Sequence, residues 1–186
     1  MEEPAERAAA VQAAFKPVED FRQGLLRDGL PVHGIVAGGT PTFAMHAARR
    51  DVECSPGTCI LWDHQYQTEV PDLQFLYAAV VFTRVASKPG TGRLCFDLGH
   101  KAVASEKPHP RVSLFGLEDA QFVLHSEEHL VVESERASHF KVGDAAYGVP
   151  RHICPTVALH SEAVVVRNGR AEGRWKVTAR DRHLTV

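Results

Sequence analysis

The run LQFLYAAVVFTRVAS, residues 73–87, decides how the chain is read. It is apolar, rich in β-branched and aromatic residues, and carries no charge before Arg84, so it predicts a strand. Further strand candidates follow it: GRLCFDLG (92–99), EHLVVESE (128–135), AAYGVP (145–150) and EAVVVRNGRAEGRWKVTA (162–179). Asn168-Gly169 in the last of these is a two-residue hairpin signal. On the N-terminal side TCILWDHQY (58–66) reads as one more strand. The region 56–186 is therefore expected to be an all-β domain.

Before residue 56 the periodicity is different. Val11, Phe15, Val18, Phe21 and Leu25 recur at helical spacing across residues 5–28, with Gly29 as a stop and Pro17 expected to break the helix in two. PVHGIVAGG (31–39) is a short apolar strand that runs into a glycine pair. Thr40-Pro41 then opens a helix over TFAMHAARR. Strand, glycine turn and helix form an α/β piece over residues 1–55. One strand cannot close a sheet, so this piece either packs on the β domain or is the tail of a larger domain.

Composition narrows the function. With 21 basic and 23 acidic residues among 186, a net charge of −2 gives no basic field for nucleic acid or anionic lipid. No secretory signal or membrane-length apolar run is visible, and Cys54, Cys59, Cys95 and Cys154 form no C-x-x-C pair. A reduced, cytoplasmic protein is expected, with a small molecule or another protein as partner.

Three stretches carry possible chemistry. In VPRHICPTVALH (149–160), Pro150 and Pro155 oppose a helix, so the stretch reads as extended or as a stiff loop. An extended backbone would present His152 and Cys154 on one side, as two ligands of a zinc-type site or as a buried thiol beside a hydrogen-bonded histidine. In VAGGTPTF (36–43), Gly38, Gly39 and Thr40 stand where a helix begins, as a phosphate-binding turn or as an ordinary capped turn. In HSEEHL (125–130), Glu127, Glu128 and His129 are either acid-base or metal-supporting groups or a solvated strand end; on a strand, Glu127 and His129 would share a face.

In order, GGTPTF, PGTCILWDHQY, DLGHKAVASE, HSEEHL, PRHICPTVALH and WKVTARDR closely resemble the C-terminal part of the D-serine dehydratase-like and D-threonine aldolase-like family. The resemblance covers nearly all of the chain from about Gly29 onward. It implies metal-activated pyridoxal-phosphate enzymes of the alanine-racemase fold type. On that basis the chain is the last unit of a (β/α)8 barrel (1–55) followed by an all-β, barrel-like C-terminal domain (56–186).

The resemblance also implies roles. His152 and Cys154 match the paired metal ligands, with Zn2+ favoured by the cysteine and Mn2+ the alternative. Gly38, Gly39 and Thr40 match the stretch that holds the cofactor phosphate, and Glu127, Glu128 and His129 match the acidic-histidine motif. The expected substrate is a D-hydroxy-amino acid, with serine-type dehydration ahead of threonine-type aldol cleavage.

The chain departs from the family pattern at Cys59 (usually tyrosine), His100 (serine), Glu106 (aspartate) and Leu130 (glycine). None of Lys16, Lys88, Lys101, Lys107, Lys141 and Lys176 matches the motif of the cofactor-anchoring lysine. The isolated chain is therefore expected to be inactive, and to work as a homodimer or with an N-terminal barrel half. The alternative is a non-catalytic β module that binds a metal or a partner.

Overall fold

The computed structural model describes residues 3–181 and residue 183. Two compact units divide the chain at Ala78/Ala79. The division lies beyond the expected boundary at residue 55, because the segment after it builds the first unit's own core. Trp62, fully buried, packs there with Cys59, Val70 and Leu73, flanked by Tyr66, Phe75 and Tyr77.

In the first unit α1 (Pro4–Arg27) is one helix, and Pro17 lies inside it without ending it. The expected break is absent: Pro17 removes one backbone bond, but its fixed φ is helical and the preceding run of alanines favours helix. Gly29 supplies the expected stop with φ +77°. Strands β1 (Ile35–Gly38) and β2 (Val52–Ser55) form a two-stranded parallel sheet with Ile35 opposite Val52. Between them lie a 3-10 turn, Thr40–Thr42, and the five-residue helix α2 (Phe43–Ala47).

TCILWDHQY is not a strand: it forms a 3-10 turn at Thr58–Ile60 and then enters α3 (His64–Glu69). Asp63 explains the difference, since its carboxylate caps the helix by accepting the Tyr66 N–H at 3.0 Å. The β-rich composition pointed to a strand, but the aspartate three residues before Tyr66 is a helix-start signal.

The second unit is the β domain. Its strands are β3 (Val81–Gly90), β4 (Arg93–Phe96), β5 (Val112–Leu114), β6 (Gln121–His125), β7 (Leu130–Glu133) and β8 (Ala145–Pro150). They form one antiparallel sheet in the order β5-β8-β3-β4-β7-β6. The run that opens the sequence argument becomes strand only from Val81; residues 73–80 are irregular. β3 pairs with β8 through Arg84 and with β4 from Val85 onward, where register shifts at Val85/Ser87 and Ser87/Gly90 interrupt the ladder. Such irregularities bend a strand, and the sheet curls around one core.

That core contains Val85, Leu94, Phe96, Leu98, Val112, Leu114, Leu130 and Val132, all essentially inaccessible. Each such side chain contributes about 1.5–3 kcal/mol by leaving water. The last two strands, β9 (Glu162–Arg167) and β10 (Arg170–Lys176), form a separate hairpin. Asn168 and Gly169 turn it with φ +50° and +72°, as the Asn-Gly signal predicts.

Candidate functional site

The site is organised by the stretch between β4 and β5. Asp97, just after β4, accepts hydrogen bonds from Thr83 Oγ1 (2.8 Å), the Arg84 N–H (2.7 Å) and the Arg84 guanidinium (3.0 and 2.9 Å). Partial burial pushes its carboxyl up, but these donors outweigh it and hold the group below its ordinary value. Asp97 thus fastens the start of the loop to β3.

The loop then turns against the β6–β7 connection. His100 N–H donates to Ser126 O (2.9 Å) and Lys101 N–H to Glu127 O (3.1 Å). Lys101 Nζ lies 3.0 Å from Glu127 Oε2 and 2.7 Å from Glu128 Oε1. Hydrogen bonds from Glu128 and Glu127 hold the ammonium above its ordinary value, which keeps Lys101 protonated and a poor nucleophile. Residues 126–129 form a turn rather than a strand, closed by Ser126 N–H to His129 O at 2.8 Å, and Glu127, Glu128 and His129 are exposed on it. The strand-face relation of Glu127 to His129 therefore does not apply. The short polar run reverses the chain between two antiparallel strands.

The far end of the same loop reaches α4 (Ile153–Ala158). His152 is the N-cap residue, with extended backbone, and Cys154 and Pro155 stand in the first turn. The expectation of an extended stretch through Pro155 fails because backbone N–H groups in the first helical turn have no intrahelical acceptor, so proline costs little there. The Thr156 hydroxyl donates to His152 O (2.8 Å) and accepts the Ala104 N–H (3.1 Å), while His160 Nε2 donates to Ala102 O (2.9 Å). Glu106 Oε1 lies 2.5 Å from His152 Nδ1. Partial burial pushes the Glu106 carboxyl up, but the His152 hydrogen bond, its own backbone N–H, and the charges of His152 and Lys107 together hold it below its ordinary value.

One loop therefore touches both groups singled out in the sequence: its first turn meets Glu127 and Glu128, and its end meets the helix bearing His152 and Cys154. Among the described residues, no group of three or more His, Cys, Asp or Glu side chains is arranged to hold a metal ion. His152 and Cys154 nevertheless fit one in chemistry. The imidazole has Nδ1 engaged by a carboxylate, which leaves Nε2, and the thiol is exposed two residues on.

Gly38, Gly39 and Thr40 lie in the first unit. Gly39 has φ +94°, and the Thr42 hydroxyl faces Gly38 O (3.1 Å) and Gly39 O (3.2 Å). Thr40 is buried, and its hydroxyl accepts the Cys59 N–H at 3.2 Å. The helix expected after this turn is only α2, too short for a substantial dipole, so phosphate binding here would depend on individual N–H groups.

Sequence reasoning missed two features. Glu106 was visible only as a departure from aspartate, and nothing in its spacing signals a contact with His152, 46 positions away. The second feature is a histidine cluster. His125, at the end of β6, has ring centroids 5.6 Å from His109 and 6.3 Å from His100, beside a hollow of about 260 Å³ lined by His109, Phe122, Val123, Leu124 and His125. Both His125 ring nitrogens are buried without a hydrogen bond of good geometry, and the Leu98 carbonyl is only a weak partner to the ring.

Comparison with known proteins gives consistent matches. The D-ser_dehydrat family model, a serine dehydratase domain, matches residues 78–166. A D-threonine aldolase of Arthrobacter sp. is 31% identical over 179 residues, which are 94% of this chain and 47% of that protein. A 3-hydroxy-D-aspartate aldolase of Paracoccus denitrificans is 28% identical over 94% of this chain and 46% of its own length. The chain thus spans about half the length of these curated relatives. An uncharacterized protein of Mycobacterium tuberculosis is 32% identical over 116 residues, 60% of this chain and 87% of that protein.

Among solved structures, D-threonine aldolase from Filomicrobium marinum superposes with a TM-score of 0.87 at 25% identity, covering 97% of this chain and 50% of that one. D-threo-3-hydroxyaspartate dehydratase from Delftia sp. superposes at 0.75 with 20% identity, covering 95% of this chain and 52% of that one. The fold is therefore that of these enzymes. D-threo-3-hydroxyaspartate dehydratase is also known as a variant with one histidine changed to alanine, and as a metal-free variant with a cysteine two positions further on changed to alanine.

Proposed function

Because the chain belongs to the D-serine dehydratase-like and D-threonine aldolase-like family and corresponds to its C-terminal region, we propose that it supplies the metal-binding part of a D-amino-acid lyase acting on β-hydroxy-D-amino acids. His152 Nε2 and the Cys154 thiolate hold Zn2+, with Mn2+ the alternative, and water or substrate completes the coordination. The observation that carries this reading is the His152–Glu106 contact, in which a carboxylate engages Nδ1 and leaves Nε2 as the nitrogen that would bind a metal. The His-x-Cys spacing is the one at which the hydroxyaspartate dehydratase has been altered in its two variants.

Backbone N–H groups of Gly38, Gly39 and Thr40 hold the phosphate of pyridoxal phosphate, and the Thr40 hydroxyl retains a proton to donate. When bound, the metal would supply Lewis acidity toward a β-hydroxyl and the cofactor an electron sink. Lys101, paired with two carboxylates, does not anchor the cofactor, so the chain alone is inactive and requires a partner. Exposed Phe21, Val36, Ile60 and Leu76 on the first unit offer that partner apolar surface. Light scattering is expected to show species larger than a monomer; a clean, stable monomer would refute the partner reading.

The test of the metal reading is zinc stoichiometry after dialysis. Wild type is expected to retain one zinc per chain, and His152→Ala and Cys154→Ser to retain none. Equal zinc content in all three proteins would overturn the ligand assignment. The second reading, a non-catalytic metal- or partner-binding module, is favoured by the pairing of Lys101. Release of pyruvate from D-serine, or of acetaldehyde from D-threonine, by chain, zinc and pyridoxal phosphate alone would eliminate that reading and the inactivity claim together.

A further inference from the structure

We infer that Glu106 is the positioning residue of the metal centre: it selects the His152 tautomer and so determines which ring nitrogen is available as a ligand. The inference rests on the metal reading given above, but part of it can be tested without metal. A neutral imidazole carries one N–H and one lone pair, and the ring alone does not fix which nitrogen has which. An ionised carboxylate can only accept. With Glu106 Oε1 2.5 Å from Nδ1, the hydrogen is placed on Nδ1 and the lone pair on Nε2.

Among the described residues, nothing else fixes the ring. His152 is an N-cap residue whose side chain makes no capping bond, and its carbonyl, not its imidazole, is held by Thr156. The carboxylate, by contrast, is delivered by a fastened segment. Asp97 ties the loop's start to β3, the Thr156 hydroxyl holds Ala104, and His160 holds Ala102. A ligand whose orientation is set before binding loses less freedom when the metal arrives, and its hydrogen-bonded carboxylate makes the free nitrogen a stronger donor. Glu106 thus acts on the metal through His152 without touching it.

The experiment uses the full chain with 15N-labelled histidine, metal-free, and reads the His152 tautomer from two-bond 1H–15N correlations, with His152→Ala assigning the signals. Wild type is expected to carry the hydrogen on Nδ1. Glu106→Ala is expected to release the ring, moving hydrogen toward Nε2, and to weaken zinc binding about 10- to 100-fold in competition with a chromophoric chelator. Glu106→Gln, nearly isosteric, guards against a folding defect and is expected to weaken zinc severalfold with an unchanged urea midpoint.

An unchanged His152 tautomer in folded Glu106→Ala, or unchanged zinc affinity in Glu106→Gln, overturns the proposal. If wild type binds no zinc, the metal reading fails by itself. The metal-free tautomer comparison then still decides whether Glu106 controls the ring.

Discussion

Replacing Gly99 by alanine is expected to destabilise the β domain by about 3 kcal/mol, at the upper end of what overpacking costs. A Cβ at this position would stand 1.9 Å from Glu127 O, 2.1 Å from Glu127 C and 2.2 Å from Glu128 N. All three are backbone atoms, so no side chain can rotate away to make room. The two turns would have to separate, and the hydrogen bonds His100 N–H to Ser126 O and Lys101 N–H to Glu127 O would lengthen with them.

The site should suffer as well, because the displaced loop carries Glu106 at its other end. Urea unfolding should show a lower midpoint with an unchanged slope, and zinc affinity should fall in the folded protein. A midpoint within experimental error of wild type would mean that the two turns do not pack as closely as the structure has them. Gly116→Ala is no substitute control, since Gly116 has φ +79° and would be strained for a different reason. Gly173→Ala, with nothing within 4 Å of the added carbon, is the proper one.

Gly99 also illustrates what the sequence could and could not disclose. DLGHK announces a glycine turn after a strand, but the need for close backbone approach comes from residues 126–128, more than 25 positions away. The β domain was legible because its strands carry local signals: β-branched runs in β3 and β7, the apolar Leu94-Cys95-Phe96 of β4, and Asn168-Gly169 between β9 and β10. β5 and β6 are short and bordered by polar residues, and β2 is only four residues with a cysteine and a glutamate, so their strand character comes from pairing rather than composition. His152 and Cys154 were legible as a motif. Their setting was not, because Pro155 opposes a helix interior but is harmless in a first turn, and only the structure shows which position it takes.

The same limit applies to His125, whose neighbours come from three separate stretches and which yields the second large prediction: acid weakens the protein between about pH 6.5 and 4. Burial, then the charges of Arg111, His109 and His100, push the His125 ring down to about 4; the Leu98 carbonyl opposes this only weakly. His109 is also lowered, by burial and by Arg111. In the unfolded chain an imidazole titrates near its ordinary value, about 6.5. Between those values the unfolded state binds the proton that the folded state refuses, so stability rises with pH across the window and is lost as pH falls through it.

The full shift would correspond to about 3 kcal/mol, and partial access of solvent to the ring reduces the expected loss to about 1–2 kcal/mol. The lowered carboxylates, Asp97, Glu106 and Asp119 among them, also favour the folded state at higher pH, but their contribution is lost mainly below the His125 window. His125→Leu separates the two contributions. The leucine removes two buried ring nitrogens whose only partner is the weakly placed Leu98 carbonyl, so the variant should be about as stable as wild type at pH 7.5 and should lose less stability between pH 6.5 and 4.5. Urea unfolding at four pH values across that interval measures both effects. Parallel pH profiles for variant and wild type would show that the proton is taken up elsewhere, whereas a flatter profile for the variant assigns the acid sensitivity of the β domain to this ring.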